Sequence, residues 1–340
     1  MKKILITGAD GQDGAYLADY LVRKKNYKVF CSVRSLKSNF TNLNYFGIQN
    51  KINLLEGNLL EKGCIDRLFD QIGKIDEIYN FAAISYVPSS FISPNITFDT
   101  NTLPVLRFLE KIKNSKNKIK FYQASTSEMY GNATSYSKKN ERSEMLPVSP
   151  YGISKLASHN LCRVYRDSYN IYCCSGILFN HESPLRGQNF VTKKVVTSLV
   201  KYVLGQERDN QLGNIFAKRD WGYAKDYVEG IYRIMQQPKA DDYVLATGAT
   251  YSVKEFVSKC LKSLNIKHAW TIKNKKYQCI DKTTNKVIFY TNSSNNIRPN
   301  ELHFLKGDGS KARKNLKWKP KTSIDELINI MLEAEFKFLS

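Results

Sequence analysis

The stretch KILITGADGQDG, residues 3–14, joins an apolar run typical of a buried strand to a glycine-rich turn. Gly8, Gly11 and Gly14 are spaced three residues apart, and a helical pattern begins within the motif. Glycine permits a positive φ and lets backbone N–H groups approach a pyrophosphate at the positive end of a helix. Because the motif lies in the first predicted strand–helix unit, we interpret it as a dinucleotide site, although alone it could be only a tight turn. The predicted contacts here are Gly8, Asp10, Gly11, Gln12, Asp13 and Gly14.

Strand-like and helical patterns alternate over the first 180 residues, as in a parallel sheet with crossover helices. The predicted strands are 3–7, 27–33, 51–56, 77–82, 118–124 and 171–179. The predicted helices are 12–24, 64–72, 99–113 and 150–169. The strands are nearly continuous in apolar residues, which suits burial on both faces. The sequence therefore predicts an α/β fold with a Rossmann-type, doubly wound parallel sheet.

The alternation weakens after residue 180, where segments near 190–204, 221–235 and 252–264 stand out. They predict a smaller, mostly helical lobe that closes over the carboxyl edge of the sheet, where ligands bind in open α/β folds. We divide the chain into a cofactor-binding domain, residues 1–180, and a mainly substrate-binding lobe, residues 181–340. A segment near 221–250 is expected to return to the first domain.

The composition limits the class of protein. Of 340 residues, 42% are hydrophobic and 12% aromatic, which indicates a globular chain. Thr7 and Gly8 interrupt the first apolar run far short of a signal peptide or membrane span, so we expect a cytoplasmic protein. The net charge of +21 would suit a nucleic-acid or membrane partner, but the lysines are scattered, which favours a solvated surface and an anionic small substrate. The seven cysteines lack metal-ligand spacing, so we expect structural thiols and no metal site.

The end of the second predicted strand distinguishes the two nicotinamide cofactors. A carboxylate there would accept hydrogen bonds from the adenosine ribose, but the sequence has Arg34. An arginine can bind a 2′-phosphate, so NADP is favoured over NAD, with a surface arginine that binds no ligand as the alternative. Small and apolar residues after the third and fourth strands are predicted to border the cofactor: Asn58, Leu59, Phe81, Ala82, Ala83 and Ser85.

Two short segments carry the predicted chemistry, STSE at residues 125–128 and YGISK at residues 151–155. Tyr151 and Lys155 lie four residues apart on one helical face, so the ammonium can lower the pKa of the phenol, which then removes a proton from a substrate hydroxyl during hydride transfer. Thr126 can bind the same oxygen. Glu128 is a base that simple alcohol oxidation does not need, and it can remove the proton that a new ketone acidifies, so that water is lost.

Each of these residues also has a purely structural interpretation. A Tyr and a Lys four residues apart occur together by chance, Thr126 or Ser127 could cap a strand end, and Glu128 could be a solvated turn residue. Their joint occurrence after the appropriate strands indicates a sugar dehydratase instead.

These motifs resemble those of the extended short-chain dehydrogenases/reductases, and within them the GDP-mannose 4,6-dehydratase family, over nearly the whole chain. The matching runs are ITGADGQDGAYLADYL, FYQASTSEMYG, SPYGISK, GILFNHESPLRGQNFVTKK, LGNIFAKRDWGYAKDYVEG, ATGATYSVKEFV, RPNELHFLKGD and NLKWKP. The resemblance implies conversion of GDP-mannose to GDP-4-dehydro-6-deoxy-mannose and water by C4 oxidation, loss of the C5 proton and C6 hydroxyl, and hydride return to C6. It also implies tightly bound NADP that is regenerated each cycle, and a homodimer or homotetramer.

The resemblance further assigns residues by matching position. Thr126, Glu128, Tyr151 and Lys155 take the catalytic roles, and His181 and Arg186 complete the cofactor site. The residues implied around the GDP-sugar are Ser85, Ser127, Glu128, Asn180, Asn189, Val191, Lys194, Asn214, Lys218, Arg219, Arg298 and Glu301. Arginines suit the two phosphates of GDP, because a planar guanidinium group can donate two parallel hydrogen bonds to one phosphate.

One comparison supports the GDP-mannose branch, and two differences qualify the resemblance. Related dTDP- and UDP-glucose dehydratases carry an Asp as the acid where this chain has Ser127, so Glu128, directly or through a water, must serve as both base and acid, as in the GDP-mannose branch. Ser35-Leu36-Lys37 replaces a family segment with a second arginine that builds a tetramer. Residues 82–86, AAISY, replace a family Gly-Ala-Gln-Ser-His segment beside the sugar, so a GDP-manno-heptose is an alternative substrate.

Two other functions stay open at this point. An epimerase or reductase of the same fold would need Tyr151 and Lys155 but no acid at position 128. An NADP-binding sensor without activity would be expected to lack the Tyr/Lys pair, which is intact here.

Overall fold

The computed structural model describes residues 1–24, 26–132, 137–291 and 300–340. Its first half alternates strands and helices: β1 (Lys2–Thr7), α1 (Gln12–Val22), β2 (Tyr27–Val33), α2 (Thr41–Tyr45), β3 (Asn53–Glu56), α3 (Cys64–Ile72), β4 (Glu77–Asn80), α4 (Val87–Ile92), α5 (Pro94–Lys113), β5 (Lys120–Thr126), α6 (Pro150–Tyr169) and β6 (Cys173–Leu178). Short 3-10 turns cover Gln49–Lys51 and Ser127–Tyr130.

The second half is more irregular: β7 (His181–Glu182), α7 (Val191–Val203), β8 (Gln211–Leu212), β9 (Lys218–Arg219), β10 (Gly222–Tyr223), α8 (Ala224–Met235), β11 (Tyr243–Leu245), β12 (Tyr251–Ser252), α9 (Val253–Ser263), β13 (His268–Lys273), β14 (Lys276–Asp281), β15 (Val287–Thr291), β16 (Phe304–Leu305), α10 (Ser310–Leu316) and α11 (Ile324–Leu339).

The main sheet formed by the described residues has seven parallel strands in the order β11-β6-β5-β4-β1-β2-β3. The order reverses next to β1, so the carboxyl ends of β1 and β4 border a crevice where ligands bind in such folds. One apolar cluster packs α1, α8 and α10 against one face of the sheet, and a second packs α3, α5 and α6 against the other. The predicted α/β fold with a doubly wound parallel sheet is confirmed.

Local sequence signals set the ends of several elements. Helix α6 begins at the predicted residue because Ser149 caps it, accepting a hydrogen bond from the Gly152 amide at 3.0 Å, and Pro150 occupies the first turn. Helix α5 begins at Pro94, five residues before the predicted start, since proline there also suits a first turn. Strand β5 runs to Thr126, two residues beyond the prediction.

The second half of the chain contributes to two cores. Strand β11 pairs with β6 at the edge of the main sheet, and Trp318 packs in the core beneath α8. Helices α7, α9 and α11 enclose a separate apolar cluster together with strands β14 and β15.

The strand content of this lobe is greater than the sequence predicted. A four-stranded sheet has the order β13-β14-β15-β8, and a three-stranded sheet has the order β12-β9-β16. The prediction of a mostly helical lobe missed the β13–β14 hairpin because its strands are largely half-buried or exposed, so that apolar and polar residues do not alternate regularly along them.

Across the described residues, no helix combines the length and apolarity needed to cross a membrane. The same residues contain no cluster of three or more His, Cys, Asp or Glu side chains suited to hold a metal ion.

Candidate active site

A cavity of about 670 Å³ opens at the carboxyl edge of the main sheet. It gathers all of the predicted cofactor and catalytic residues and part of the predicted substrate set. The predicted residues that line it are Gly8, Asp10, Gly11, Gln12, Asp13, Gly14, Arg34, Asn58, Leu59, Phe81, Ala82, Ala83, Ser85, Thr126, Ser127, Glu128, Tyr151, Lys155, Asn180, His181 and Arg186.

The glycine-rich turn is packed too tightly for side chains. Gly8 has a φ of +64°, and a Cβ added there would lie 2.7 Å from the backbone nitrogen of Ala82. A Cβ on Gly14 would collide with the carbonyl oxygen of Gly8. The N-cap residue of α1, Gly11, brings no side chain to the first amides of the helix, so these N–H groups can bind an anion. The turn thus has the shape that a dinucleotide pyrophosphate requires.

Two further side chains shape the adenosine end of the cavity. Arg34 follows β2 and is exposed at the cavity margin. The Asp10 carboxylate accepts hydrogen bonds from the amides of Asn42 and Leu43, each at 3.1 Å. The Asn42 side chain also donates to the Asp10 carbonyl oxygen at 2.8 Å, so Asp10 fixes the N-terminus of α2.

The two catalytic segments meet at the end of β5. Thr126 is the last residue of that strand, and its hydroxyl accepts a hydrogen bond from the Glu128 amide at 3.3 Å. This bond holds the 3-10 turn that carries Glu128, whose side chain is buried and lines the cavity. Tyr151, in the first turn of α6, hydrogen-bonds to the Thr126 side chain.

Burial controls the ionisation of the Tyr/Lys pair. Loss of solvent raises the pKa of Tyr151 to about 12, although the hydrogen bond with Thr126 acts in the opposite direction. Loss of solvent lowers the pKa of Lys155 to about 8, while the negative charge of Asp13 opposes that change. The sequence predicted that Lys155 would lower the pKa of the phenol. In this cavity the desolvation of Tyr151 outweighs any such effect, because the phenol lies in the interior.

His181 and Arg186 reach the same cavity from the loop that follows β6. His181 Nε2 lies 2.9 Å from Asp13 Oδ1. Arg186 Nε lies 3.1 Å from Glu182 Oε2, and its guanidinium stacks 3.6 Å from the centre of the Phe190 ring. The pair therefore presents fixed positive charge next to the glycine-rich turn.

The remaining predicted substrate residues fall into three groups. Asn214 and Lys218 line a second cavity of about 420 Å³, together with Phe216, Ala217, His303 and Phe304. Arg219 is buried and its Nη2 lies 3.1 Å from Glu301 Oε1, so these two predicted residues form an ion pair.

Asn189, Val191 and Lys194 border neither cavity in the structure. Val191 begins α7 and packs against the core of the second lobe, and Lys194 pairs with Asp209 at 2.6 Å. Arg298 lies outside the described residues.

Sequence reasoning missed several residues of both cavities. Ile84 lies in the segment 82–86, but the sequence predicted no role for it. Ile96 and Thr100 lie on α5, where no motif indicates a site. Phe190 follows the predicted cofactor arginine by four residues, and its ring was not assigned. Apolar lining of this kind has no sequence signature, because it arises from the packing of distant elements.

The parallel sheet, the glycine-rich turn and the Tyr151/Lys155 pair on α6 define the class of protein: an extended short-chain dehydrogenase/reductase. Comparison with known families is more specific. The profile described as "GDP-mannose 4,6 dehydratase" matches residues 5–331. The chain belongs to the GDP-mannose 4,6-dehydratase family.

Individual relatives match over almost their whole length. The chain is 41% identical to "GDP-mannose 4,6 dehydratase" of Cricetulus griseus, with 99% of this chain and 92% of that protein covered. It is 40% identical to the protein of the same name from Homo sapiens, covering 98% and 91%. It is 37% identical to "GDP-mannose 4,6-dehydratase" of Yersinia enterocolitica, covering 99% and 94%.

Solved structures support the fold. The structure of dTDP-glucose 4,6-dehydratase from Bacillus anthracis in complex with NAD superposes with a TM-score of 0.80 at 19% identity, covering 99% of this chain and 97% of that one. The structure of RMD from Pseudomonas aeruginosa complexed with NADPH gives a TM-score of 0.77 at 19% identity, covering 99% and 100%. UDP-glucose 4-epimerase from Thermotoga maritima gives 0.82 at 22% identity, covering 99% and 100%.

Proposed function

We propose that this protein is a GDP-mannose 4,6-dehydratase that binds NADP and converts GDP-mannose to GDP-4-dehydro-6-deoxy-mannose and water. The observation that carries the proposal is the position of Glu128 in one cavity with Tyr151, Lys155 and the glycine-rich turn. An oxidoreductase requires the pair on α6 and the turn, whereas elimination of water requires the additional acid and base that Glu128 supplies.

A nicotinamide cofactor would supply the acceptance and return of the hydride when bound. The residues proposed to hold it are the turn that contains Gly8, Gly11 and Gly14 for the pyrophosphate, and Arg34 for a 2′-phosphate. His181 and Arg186 line the same cavity. Arg34 supports NADP over NAD because no carboxylate follows β2 to accept hydrogen bonds from the ribose.

In the proposed mechanism Tyr151 removes the proton of the C4 hydroxyl. Its phenol is protonated in the buried cavity, so the positive charges of Lys155 and the cofactor are needed to make it a base. The Thr126 hydroxyl forms a hydrogen bond with the same substrate oxygen. The oxygen of that hydroxyl also accepts a hydrogen bond from the Glu128 amide. The short distance between Thr126 and Tyr151 thus fixes where C4 must lie.

Glu128 then takes the proton at C5, which the new ketone has acidified. The same carboxyl group passes a proton to the C6 hydroxyl, which leaves as water and leaves a double bond between C5 and C6. Return of the hydride to C6 and uptake of a solvent proton at C5 then complete the product. Ser127 supplies no acid at the neighbouring position. Glu128 therefore carries both proton transfers of the elimination in this proposal.

The GDP group is proposed to extend from this cavity towards the second one. Asn214 and Lys218 are its proposed contacts there. Arg219 donates hydrogen bonds to Glu301 and to the carbonyl oxygens of Leu302, at 2.8 Å, and Lys218, at 3.1 Å, and its place near the GDP group is proposed from the family resemblance. Asn189, Val191, Lys194 and Arg298 stay proposals that rest on the family resemblance.

The assay that tests the function mixes the purified protein and NADP with GDP-mannose, GDP-manno-heptose, UDP-glucose and dTDP-glucose in separate reactions. We expect a product lighter by one water from GDP-mannose, detected by mass spectrometry. In deuterated water, the product should gain one deuterium at C5, because the proton removed by Glu128 is replaced from solvent. A product of unchanged mass would indicate an epimerase, and loss of water from no GDP-sugar would exclude a dehydratase of this branch.

A GDP-manno-heptose is the second candidate substrate. Ile84 lines the main cavity between Ala83 and Ser85, and an apolar side chain at this place offers a wall for a carbon-extended sugar. The heptose reaction in the same assay decides between the two sugars.

Self-association as a dimer or tetramer and a location in the cytoplasm stay predictions. Light scattering on the eluate of a gel-filtration column measures the mass of the assembly, which can be compared with the chain mass of 39.1 kDa.

A further inference from the structure

The first turn of α1 is joined to the β7 segment by two adjacent side chains. Asp13 Oδ1 accepts a hydrogen bond from His181 Nε2 at 2.9 Å. Gln12 Nε2 donates to the His181 carbonyl oxygen at 3.0 Å, and Gln12 Oε1 accepts from Ser183 Oγ at 2.7 Å. Gln12, Asp13, His181 and Ser183 are called the latch below. Because Ser183 Oγ also accepts from the Leu185 amide at 3.1 Å, the latch fixes the backbone that leads to Arg186.

The latch determines the protonation state of His181. Its Nδ1 lies 2.7 Å from the carbonyl oxygen of Phe179, which can only accept. Its Nε2 faces the carboxylate of Asp13, which also accepts, and that carboxylate receives a further N–H from Gln12 at 3.2 Å. A neutral imidazole has a single N–H, so only the doubly protonated ring satisfies both contacts.

The charges around the pair favour the same state. Burial alone would lower the pKa of His181, and Arg186 acts in that direction too, but the charge and hydrogen bond of Asp13 raise it. Burial alone would raise the pKa of Asp13, yet His181 and Arg186 lower it. Two uncharged groups also face the pair: the Tyr227 ring stacks on His181 at 4.8 Å between centroids, and the Tyr122 phenol is near Asp13.

We propose that Asp13 is a positioning residue of the active site, whose carboxylate holds His181 doubly protonated and helps to tie the segment bearing Arg186 to the glycine-rich turn. The effect on cofactor binding rests on the proposed NADP-dependent activity. The protonation of His181 does not, so the two can fail separately.

The first test measures the ring nitrogens of His181 by long-range proton–nitrogen NMR of the full chain at neutral pH. The chain has four histidines, and the resonance is assigned by its loss in His181→Gln. We expect both nitrogens to be protonated in the wild type and only Nδ1 in Asp13→Asn. The amide introduced there can turn and donate to Nε2, so geometry is kept while charge is lost.

The matched control is Asp19→Asn, which removes a carboxylate that pairs with Arg23 on the same helix, and it should leave His181 doubly protonated. A singly protonated ring in the wild type, or a doubly protonated ring in Asp13→Asn, would overturn the proposal.

The second test distinguishes the effect of the Asp13 charge from the effect of its hydrogen bond to His181. Asp13→Ala removes both, so we expect NADPH to bind about tenfold more weakly by fluorescence titration, with a smaller loss in Asp13→Asn. NADPH binding by Asp13→Ala as tight as by the wild type would contradict the proposal, because the segment bearing Arg186 would then not depend on Asp13.

Discussion

In the proposed mechanism, Glu128 separates elimination of water from simple oxidation. Its backbone amide donates to Thr126, a contact that a change of the acid to an amide does not remove, and its side chain is buried. Tyr151 and Lys155 line the main cavity with it but serve any reaction that begins with oxidation of a hydroxyl.

Glu128→Gln should therefore bind GDP-mannose and form reduced cofactor, yet fail to release water. We expect kcat to fall at least about 100-fold, since general acid–base groups contribute at least this much. Absorbance of the reduced nicotinamide in a stopped-flow experiment, followed by mass spectrometry of the products, measures both steps. Glu144→Gln changes an exposed carboxylate and serves as the control. Full turnover by the Glu128 variant would remove that residue from the proton transfers.

At the scale of elements, α6 joins the catalytic centre to the edge of the main sheet. Its His159 Nδ1 lies 3.2 Å from Ser125 Oγ in the cavity wall, and its Arg166 makes two hydrogen bonds to Asp242 at 2.9 and 2.8 Å. Asp242 also accepts from the Ser175 amide of β6 at 2.8 Å. This buried cluster holds α6 against β6 and β11, and so fixes the helix from which Tyr151 projects.

Asp242→Asn should destabilise the fold by about 3 kcal/mol, because Arg166, whose side chain is only 16% exposed, loses its buried charge partner. Burial alone would raise the pKa of Asp242, but Arg166 and His159 lower it. The pKa of Asp242 is therefore lower in the folded chain than in the unfolded chain. Such a carboxylate stabilises the fold at pH values above its unfolded pKa, and this stabilisation is lost as the pH falls through its folded pKa.

Urea unfolding at neutral and acidic pH measures both effects. The free energy of unfolding should fall less on acidification in Asp242→Asn than in the wild type. Asp325→Asn, which breaks the exposed pair with Lys259, should cost less than about 1 kcal/mol. If Asp242→Asn and Asp325→Asn lowered the free energy of unfolding equally, the stabilising role of the Asp242 cluster would be contradicted.

At the scale of the whole molecule, the cofactor is expected to contact both the glycine-rich turn and the segment after β6, because both border the main cavity. Its binding should therefore stabilise the folded chain. A ligand that binds only the folded chain stabilises it by mass action. The chain of 340 residues has a correspondingly large unfolding entropy, so the shift in melting temperature is moderate.

NADP at about 100 times its Kd should raise the melting temperature by about 4 °C, and NAD at the same concentration should raise it less. Arg34→Ala should remove the difference between the two cofactors, because the guanidinium is the proposed partner of the 2′-phosphate. Differential scanning fluorimetry measures the shifts, with Arg142→Ala as an exposed control. A larger shift with NAD than with NADP in the wild type would contradict the choice of cofactor.

Features that depend on short sequence spacing were predictable. The strand–glycine turn–helix at the N-terminus, the extents of β2, α3 and α6, and the grouping of Tyr151 with Lys155 follow from local periodicity and capping. Parallel strands end at a common edge, so motifs placed after β1, β4 and β5 converge without further information. The predicted cofactor and catalytic residues that line the main cavity could be named for that reason.

The tertiary structure alone decided which side chains face one another across long separations. Asp13 meets His181, Arg219 meets Glu301, and β11 joins the sheet beside β6, although none of these partners is near in sequence. It also decided the ionisation of Tyr151, because the loss of solvent around the phenol depends on every element packed over it. Local spacing sets which residues share a face or an edge, whereas burial and long-range pairing depend on how the whole chain packs.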